Sequence, residues 1–242
     1  MNLLKNKLKL LLTVGLAAAL FSCNNNSEKK DDQTTVKDTA VAATPAPAPA
    51  AFTPFDIVEI AHKVKDYDKW RPAFNTDSTA RRASGLKDIV VGRSMDDPNN
   101  LLVVLEASDV QKAKAFAADP RLKDVMEKNG VSSKPDVAYY HVVRFNPDSK
   151  EKKWVRIIHK VKDYDTWLKA FDGEGTAARE AQGLYDVALA RGIDDPSMVY
   201  IVFDIKDLEK AKASIMSEEK KKLMTSAGVE GKPKIEFYTS AD

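Results

Sequence analysis

The sequence predicts an α+β fold made of two tandem copies of one β-α-β-β-α-β unit, with the two sheets packed face to face. The stretch HKVKDYDKWRPAF that begins at His62 returns as HKVKDYDTWLKAF from His159, and the match continues for about 90 residues per copy. In the third strand of each copy, LLVVL from Leu101 and VYIVF from Val199 are apolar on both faces. Because both faces must then be buried, the sheet of the other copy is the simplest cover for the second face.

The first strand and first helix of a copy have clear start and stop signals. Residues 56–64 are rich in β-branched and apolar side chains, which predicts a strand. Asp66 or Asp68 then supplies the N-cap of a helix, and Gly85 ends it, because glycine readily takes the left-handed cap conformation.

The remaining elements follow in an order that is typical of the ferredoxin-like fold. They are strands over 87–95 and 101–107 joined by the turn DDP at 96–98, a helix capped by Asp109, a short helix from Pro120 to Gly130, and a strand over 136–144.

The N-terminal residues have the layout of a bacterial lipoprotein signal. Lysines precede an apolar run that is shorter than the ~20 residues of a membrane-spanning helix. The one cysteine, Cys23, ends the sequence LFSC, which resembles a lipobox, where the thiol is lipidated. The alternative is a signal peptide with an incidental cysteine. Lipidation of Cys23 would anchor the chain to a membrane in the cell envelope, at the outer membrane, its periplasmic face or the cell surface.

The sequence therefore divides into five predicted segments. The residues after Cys23 are polar, then rich in proline and alanine, and lack the large apolar side chains that a core needs. The segments are a signal peptide over 1–22, the lipidated cysteine and a disordered tether over 23–54, repeat 1 over 55–145, a polar linker over 146–153 and repeat 2 over 154–240.

Charge and cysteine content exclude several classes of function. The formal net charge of +2 includes three lysines of the predicted signal peptide, so the mature chain carries about −1. A near-neutral chain lacks the basic surface that displaces counterions from nucleic acid, so no nucleic-acid partner is predicted. One cysteine excludes an intrachain disulfide and a cysteine metal cluster.

Both copies resemble the dimeric α+β barrel superfamily, most of all its antibiotic-biosynthesis-monooxygenase-like members. The resemblance rests on H-x-V-x-D-Y-x-x-W, then R…G-L, R-x-x-D-D-P, D-x-x-K-A-K-A and G-V…P in each copy. In that superfamily two ferredoxin-like subunits form one barrel, so this chain would supply both halves as an internal pseudo-dimer. The superfamily includes cofactor-free monooxygenases, haem degraders, cyclases, stress-response proteins and domains with no known reaction, so the resemblance implies a fold without fixing an activity.

Two histidines share a strand face with apolar residues. By period-two alternation His62 lies on the same face as Ile60 and Val64, and His159 is its counterpart. In a dry pocket such a histidine can transfer protons. It can equally be a core histidine bonded to a backbone carbonyl or a neighbouring acid, and both interpretations stay open.

Two aromatic pairs lie where the first strand of each copy gives way to the helix. Tyr67 with Trp70, and Tyr164 with Trp167, can form a wall with one hydroxyl donor against a flat ligand. The alternative is that they fill the space between helix and sheet at the spacing of any amphipathic helix.

Two arginines end the second strand on its more apolar face. Arg93 and Arg191 can bind a carboxylate or enolate oxygen, or they can pair with an acidic residue across the hairpin. The acidic residues considered are Asp97, Glu106, Asp195 and Asp204.

No metal site and no cofactor are predicted. Of three histidines, His141 has Thr239 as its counterpart, so the repeat yields no further histidine pair. The adjacent acids of the DDP sequences are typical of turns. The chain has no phosphate loop, GxGxxG, GxSxG or cysteine nucleophile.

The sequence predicts a lipid-anchored envelope protein that binds a small aromatic or apolar molecule, or a partner, without turning it over. Whether it is an enzyme stays open. The alternative is a cofactor-independent monooxygenase or isomerase, with the repeated histidine as base, the repeated tyrosine as donor to an oxyanion and the repeated tryptophan stacked on the substrate. A third hypothesis is a purely structural or interaction domain.

Overall fold

The computed structural model describes residues 52–241, which contain both repeats. The predicted signal peptide, Cys23 and nearly all of the predicted tether lie outside the described residues. Both repeats belong to one compact unit. Among the helices of residues 52–241, none has the length and apolar character needed to cross a membrane.

Repeat 1 follows the predicted order, with its first helical segment divided in two. Its elements are β1 (Phe55–Lys63), α1 (Tyr67–Thr76), α2 (Ser78–Ala83), β2 (Leu86–Ser94), β3 (Asn100–Ala107), α3 (Val110–Ala117), α4 (Pro120–Lys128) and β4 (Asp136–Phe145).

Repeat 2 has the same elements in the same order, after a linker over 146–152. They are β5 (Lys153–Val161), α5 (Tyr164–Glu174), α6 (Thr176–Ala181), β6 (Leu184–Gly192), β7 (Met198–Ile205), α7 (Leu208–Ile215), α8 (Glu218–Ser226) and β8 (Val229–Ser240).

The predicted N-cap of the first helix is confirmed, and Asp66 is the residue that supplies it. Its carboxylate accepts hydrogen bonds from the backbone N–H groups of Asp68 and Lys69, at 3.0 and 3.3 Å. The expectation of one helix up to Gly85 was wrong, because the helix breaks at Asp77. At the break, the side chain of Arg81 in α2 donates a hydrogen bond to the carbonyl of Phe74.

The eight strands form one closed antiparallel barrel in the order β1-β3-β2-β8-β5-β7-β6-β4. Each repeat supplies four neighbouring strands, and the two halves join where β2 pairs with β8 and where β4 pairs with β6. This arrangement confirms the prediction that the two sheets cover each other. Closure also leaves no free sheet edge, which would otherwise be open to pairing with another chain.

Alternation along the strands separates three apolar cores. Val58 of β1 packs outward beneath the helices of repeat 1, whereas its neighbour Ile57 points into the barrel interior, the lumen. Repeat 2 has its own outer core around Trp167. The lumen core is shared by both repeats and includes Trp154 and Tyr200.

A buried ion pair crosses the lumen. Glu59 of β1 and Arg156 of β5 occupy equivalent positions of the two repeats, and they are 4% and 1% exposed. Arg156 donates to Glu59 and also to Glu236 of β8. A barrel of two identical subunits would carry the same residue twice at these positions. Joining the halves in one chain allows opposite charges to meet there instead.

Replacing Arg156 by methionine should destabilise the fold strongly, because Glu59 would be left as a buried, uncompensated charge. We expect Arg156→Met to lower the free energy of unfolding by about 3–5 kcal/mol, measured by urea denaturation. The matched control is Arg144→Met, which breaks an exposed pair with Asp172 and should cost less than about 1 kcal/mol.

The double variant Glu59→Leu/Arg156→Met should recover part of that loss, since it removes both members of the buried pair. Equal losses for Arg156→Met and Arg144→Met would contradict the assignment of a buried pair at the lumen.

Candidate functional site

His62 lies in a cavity between the outer face of the sheet and the helices of repeat 1. The cavity has a volume of about 110 Å³ and is lined by His62, Trp70 and Phe74 together with apolar side chains of α4. Strand alternation directs His62 outward, and the helix that Asp66 caps brings Trp70 over it. Of the predicted histidine and aromatic residues of repeat 1, His62 and Trp70 therefore meet at this cavity, and Tyr67 does not.

Neither ring nitrogen of His62 makes a hydrogen bond of ordinary geometry, although the side chain is only 6% exposed. Burial lowers the pKa of His62 to about 4, and the backbone of Ile60 opposes that shift in part. The imidazole is consequently neutral at pH 7, with one donor and one acceptor nitrogen. A buried polar group without a partner costs about 1–3 kcal/mol, so a ligand that bonds to it would recover that energy.

Two aromatic rings form a wall beside His62. The centroids of His62 and Trp70 lie 5.5 Å apart, and Phe74 stacks on Trp70 at 4.8 Å. Trp70 is 4% exposed, so its ring belongs to the core on one side and to the cavity on the other.

Arg81 lies at the edge of this cavity, but its guanidinium is fully engaged. It donates to both carboxylate oxygens of Asp88, at 3.0 and 2.8 Å, and to the carbonyl of Phe74 at 2.7 Å. Its guanidinium carbon also lies 3.6 Å from the centroid of the Phe74 ring. Arg81 therefore fixes the aromatic wall and has little capacity left for a ligand.

Repeat 2 contains the same constellation around His159. Both ring nitrogens of His159 lack partners, and burial lowers its pKa to about 4. Its ring lies 5.5 Å from Trp167, which stacks on Phe171 at 5.2 Å. Arg179 repeats the contacts of Arg81.

The two cavities differ at their rims. The cavity of repeat 2 has a volume of about 60 Å³, and a nearly buried ion pair between Lys220 and Glu174 lies at its edge. The position of Lys220 is taken by Leu122 in repeat 1. Glu174 is the last residue of α5, which is one residue longer than α1. The two rims therefore differ in the side chain at the position of Lys220.

The predicted tyrosines and arginines form a separate pair in each repeat. Arg93 lies over the ring of Tyr67 at 4.1 Å and donates to the carbonyl of Pro98 at 2.9 Å. Neither residue lines the cavity of His62. The Tyr67 hydroxyl donates to the carbonyl of Ala241 at 3.4 Å.

Arg191 and Tyr164 have the same arrangement, with the guanidinium 4.4 Å from the ring and a 2.5 Å hydrogen bond to the Pro196 carbonyl. Neither lines the cavity of His159. Each tyrosine lies beside its tryptophan as the sequence predicts, with ring centroids 6.0 Å apart, but only the tryptophan lines the cavity.

The fold is similar to that of several solved structures. An anthrone oxidase-like protein is 13% identical, with 78% of this chain and 92% of that chain covered at a TM-score of 0.53. A candidate monooxygenase from Lactobacillus acidophilus NCFM is 17% identical, covering 77% and 94% at a TM-score of 0.50. A candidate chlorite dismutase is 14% identical, covering 78% and 95% at a TM-score of 0.50.

Each match covers more of this chain than one repeat could supply, and the barrel is closed by strands of both repeats. The chain therefore has the fold of a dimeric α+β barrel, with both halves supplied in tandem by one chain. At these identities the matches to solved structures show the fold alone. No protein-family model matches the chain, and the search of the curated proteins found no match.

The part of the tandem barrel that the structure describes contains no group of three or more histidine, cysteine, aspartate or glutamate side chains that could hold a metal ion. Asp97 of the first DDP turn instead accepts a hydrogen bond from the Asn99 backbone at 3.0 Å, as turn residues do. His141 lies 2.6 Å from Asp56 at the surface, away from both cavities.

Sequence reasoning did not assign a role to Arg81 and Arg179, although both recur at the same place in the repeat. A signal was present, since each lies seven residues before an aspartate, Asp88 or Asp186. That spacing predicts nothing by itself, because the pairing depends on the break between the two helical segments. In the tandem barrel these arginines hold the aromatic walls of the cavities.

The neutral state of His62 and His159 should make the tandem barrel acid-sensitive. Both imidazoles titrate near pH 4 in the folded chain, against about 6.5 when unfolded. Between these values the unfolded chain binds more protons, so stability falls as the pH falls. Each histidine should contribute up to roughly 3 kcal/mol of this loss.

We expect the variant His62→Phe/His159→Phe to lose less stability than the wild type between pH 7 and pH 4.5, measured by urea denaturation at both pH values. At pH 7 the variant should be about as stable as the wild type or more so, because unpaired polar groups are replaced by apolar rings. Identical losses in the two proteins would contradict the buried, neutral state.

Proposed function

We propose that this chain is a lipid-anchored protein of the cell envelope that binds a small aromatic or apolar molecule in the cavity beside His62. The observation that carries the proposal is a buried histidine that faces a cavity and has neither ring nitrogen in a hydrogen bond of ordinary geometry. Native proteins rarely leave buried polar atoms unpaired, so such a group calls for a partner.

The chemistry of the cavity favours a flat molecule with one polar atom. Trp70 and Phe74 offer aromatic surface, and His62 offers one donor and one acceptor. A phenol, or a similar ring with a hydroxyl or carbonyl group, would satisfy one ring nitrogen while its ring contacts the wall.

The volume favours a single ring. A cavity of about 150 Å³ is known to bind benzene, and the cavity of repeat 1 is about 110 Å³. Helix α4 borders the cavity and contributes no fully buried side chain. A small outward shift of α4 would therefore expose little core and would admit a ring.

The two outer cavities differ in how easily an apolar ligand could enter them. Repeat 1 has the larger cavity, with Leu122 at the rim where repeat 2 has Lys220 in an ion pair with Glu174. An apolar ligand entering repeat 2 would have to displace or desolvate that pair, which costs free energy. We therefore assign binding to repeat 1.

The geometry favours binding over catalysis. An imidazole with a pKa near 4 is a weak base, and general bases work best with a pKa near the operating pH. The Tyr67 hydroxyl, which the oxygenase alternative needs as a donor, bonds to the C-terminal backbone and does not line the cavity. A cofactor-independent monooxygenase would need both groups on one substrate.

The proposed anchoring rests on the sequence. The lysine-bearing start, the short apolar run and a single cysteine at LFSC agree with a lipoprotein signal, and the Pro-Ala tether would hold the barrel away from the membrane.

Phenol should bind to the cavity of His62. In protein labelled with ¹⁵N-histidine, phenol should shift the ring-nitrogen NMR signals of His62 more than those of His159. Substitution His62→Phe fills the site and removes its polar partner, so it should weaken the binding measured by calorimetry about tenfold or more. Benzene, which has no hydroxyl group, should bind less tightly than phenol.

The matched control is His159→Phe, which should change phenol affinity less than about twofold if the ion pair keeps the second cavity closed. Lys220→Leu introduces the residue of repeat 1 and should allow phenol to shift His159 as well. Equal effects of His62→Phe and His159→Phe would contradict the assignment to repeat 1.

Lipid anchoring predicts that Cys23→Ala releases the protein from membranes. Without the thiol no acyl chain is attached, and the described residues offer no helix that could replace it. The test is fractionation of cells that express either form, with labelled palmitate to detect acylation. Membrane association and labelling that persist in Cys23→Ala would contradict the proposal.

A further inference from the structure

A larger cavity lies inside the barrel, separate from the two outer cavities. It has a volume of about 380 Å³, within the roughly 300–1,000 Å³ of typical ligand pockets. It lies at the end of the barrel where β1 and β5 begin, and its inner walls are apolar side chains of the lumen core. These include Ile57, Val104, Trp154 and Val202.

The linker between the repeats closes this end of the lumen. Because β6 and β7 lie between β4 and β5 in the sheet, the chain must cross both strands to reach β5. The Asn146 backbone donates to the Val187 carbonyl at 2.8 Å, and the Ser149 hydroxyl donates to buried Asp204 at 2.7 Å. The cavity is lined by this linker from Asn146 to Lys152.

Tyr200 brings a hydroxyl-bearing side chain to the lining of the cavity. The side chain lines the cavity and is 2% exposed, with its ring 4.8 Å from Tyr140. Burial raises the pKa of Tyr200, so the hydroxyl stays protonated and can donate to an acceptor.

We propose that the lumen cavity is a second ligand site, which takes an apolar two-ring molecule with one carbonyl oxygen that accepts from Tyr200. Its volume is more than twice the roughly 150 Å³ that accommodates benzene, whereas both outer cavities are smaller than that. The site uses no residue of the His62 cavity, so it stands independently of the function proposed for that cavity.

Benzophenone is a suitable probe, because it has two rings and a carbonyl and forms covalent adducts with nearby C–H groups under ultraviolet light. Irradiated with the mature protein, it should label the peptides that contain Val104 and Val202, as mapped by mass spectrometry. Val104→Phe/Val202→Phe fills the cavity and should abolish this labelling. Adducts only on surface peptides or around Trp70, or unchanged lumen labelling in the filled variant, would overturn the proposal.

If Val104→Phe/Val202→Phe does not fold, Tyr200→Phe still tests the site, because it removes only the hydroxyl group and keeps the ring in place. Loss of one hydrogen bond should weaken benzophenone binding about fivefold. Diphenylmethane, which has the same rings and no carbonyl, should compete for labelling equally well in the wild type and in Tyr200→Phe. An equal effect of the substitution on both ligands, or on neither, would contradict the role of Tyr200.

Discussion

Both faces of the strands are apolar, and this one chain must cover both of them. The outer faces are covered by the helices of each repeat, and the inner faces can be covered only by the opposite half of the barrel. Closing the barrel through the β2–β8 and β4–β6 pairings removes every free edge at the same time. The outer cavities, the lumen cavity and the course of the linker all follow from that closure.

Fusion of the halves relaxes a constraint that identical subunits would impose. Equivalent positions hold Glu59 and Arg156, so unlike charges meet inside the lumen. The outer cavities have diverged in the same way, with Leu122 at one rim and Lys220 at the other. One copy can therefore keep a leucine at its cavity rim while the other carries an ion pair there. The repeated histidines are present in both, each in apolar surroundings with no ring nitrogen in a hydrogen bond of ordinary geometry.

The sequence predicts the architecture because the relevant signals are local or repeated. The matching stretches at His62 and His159 indicate duplication, and LLVVL and VYIVF indicate that both faces of the sheet are buried. The N-cap at Asp66 is equally readable, since the carboxylate bonds to the next backbone groups along the chain.

The site is less predictable, because it depends on contacts between distant residues. The helix breaks at Asp77, where Arg81 donates a hydrogen bond to the Phe74 carbonyl. No local sequence pattern predicts this hydrogen bond. Spacing on the helix places Tyr67 near Trp70, yet Tyr67 bonds to the backbone of Ala241, 174 residues away in sequence. The lumen cavity could not be predicted from the sequence, since it depends on how the linker crosses two strands.

The most direct test is native mass spectrometry of the protein isolated without denaturation from the cells that produce it. We expect an additional mass of a small aromatic or apolar molecule on the wild type and on His159→Phe, and its loss from His62→Phe. The same bound mass on all three proteins, or none on any of them, would contradict the claim that the unpaired nitrogens of His62 serve a ligand.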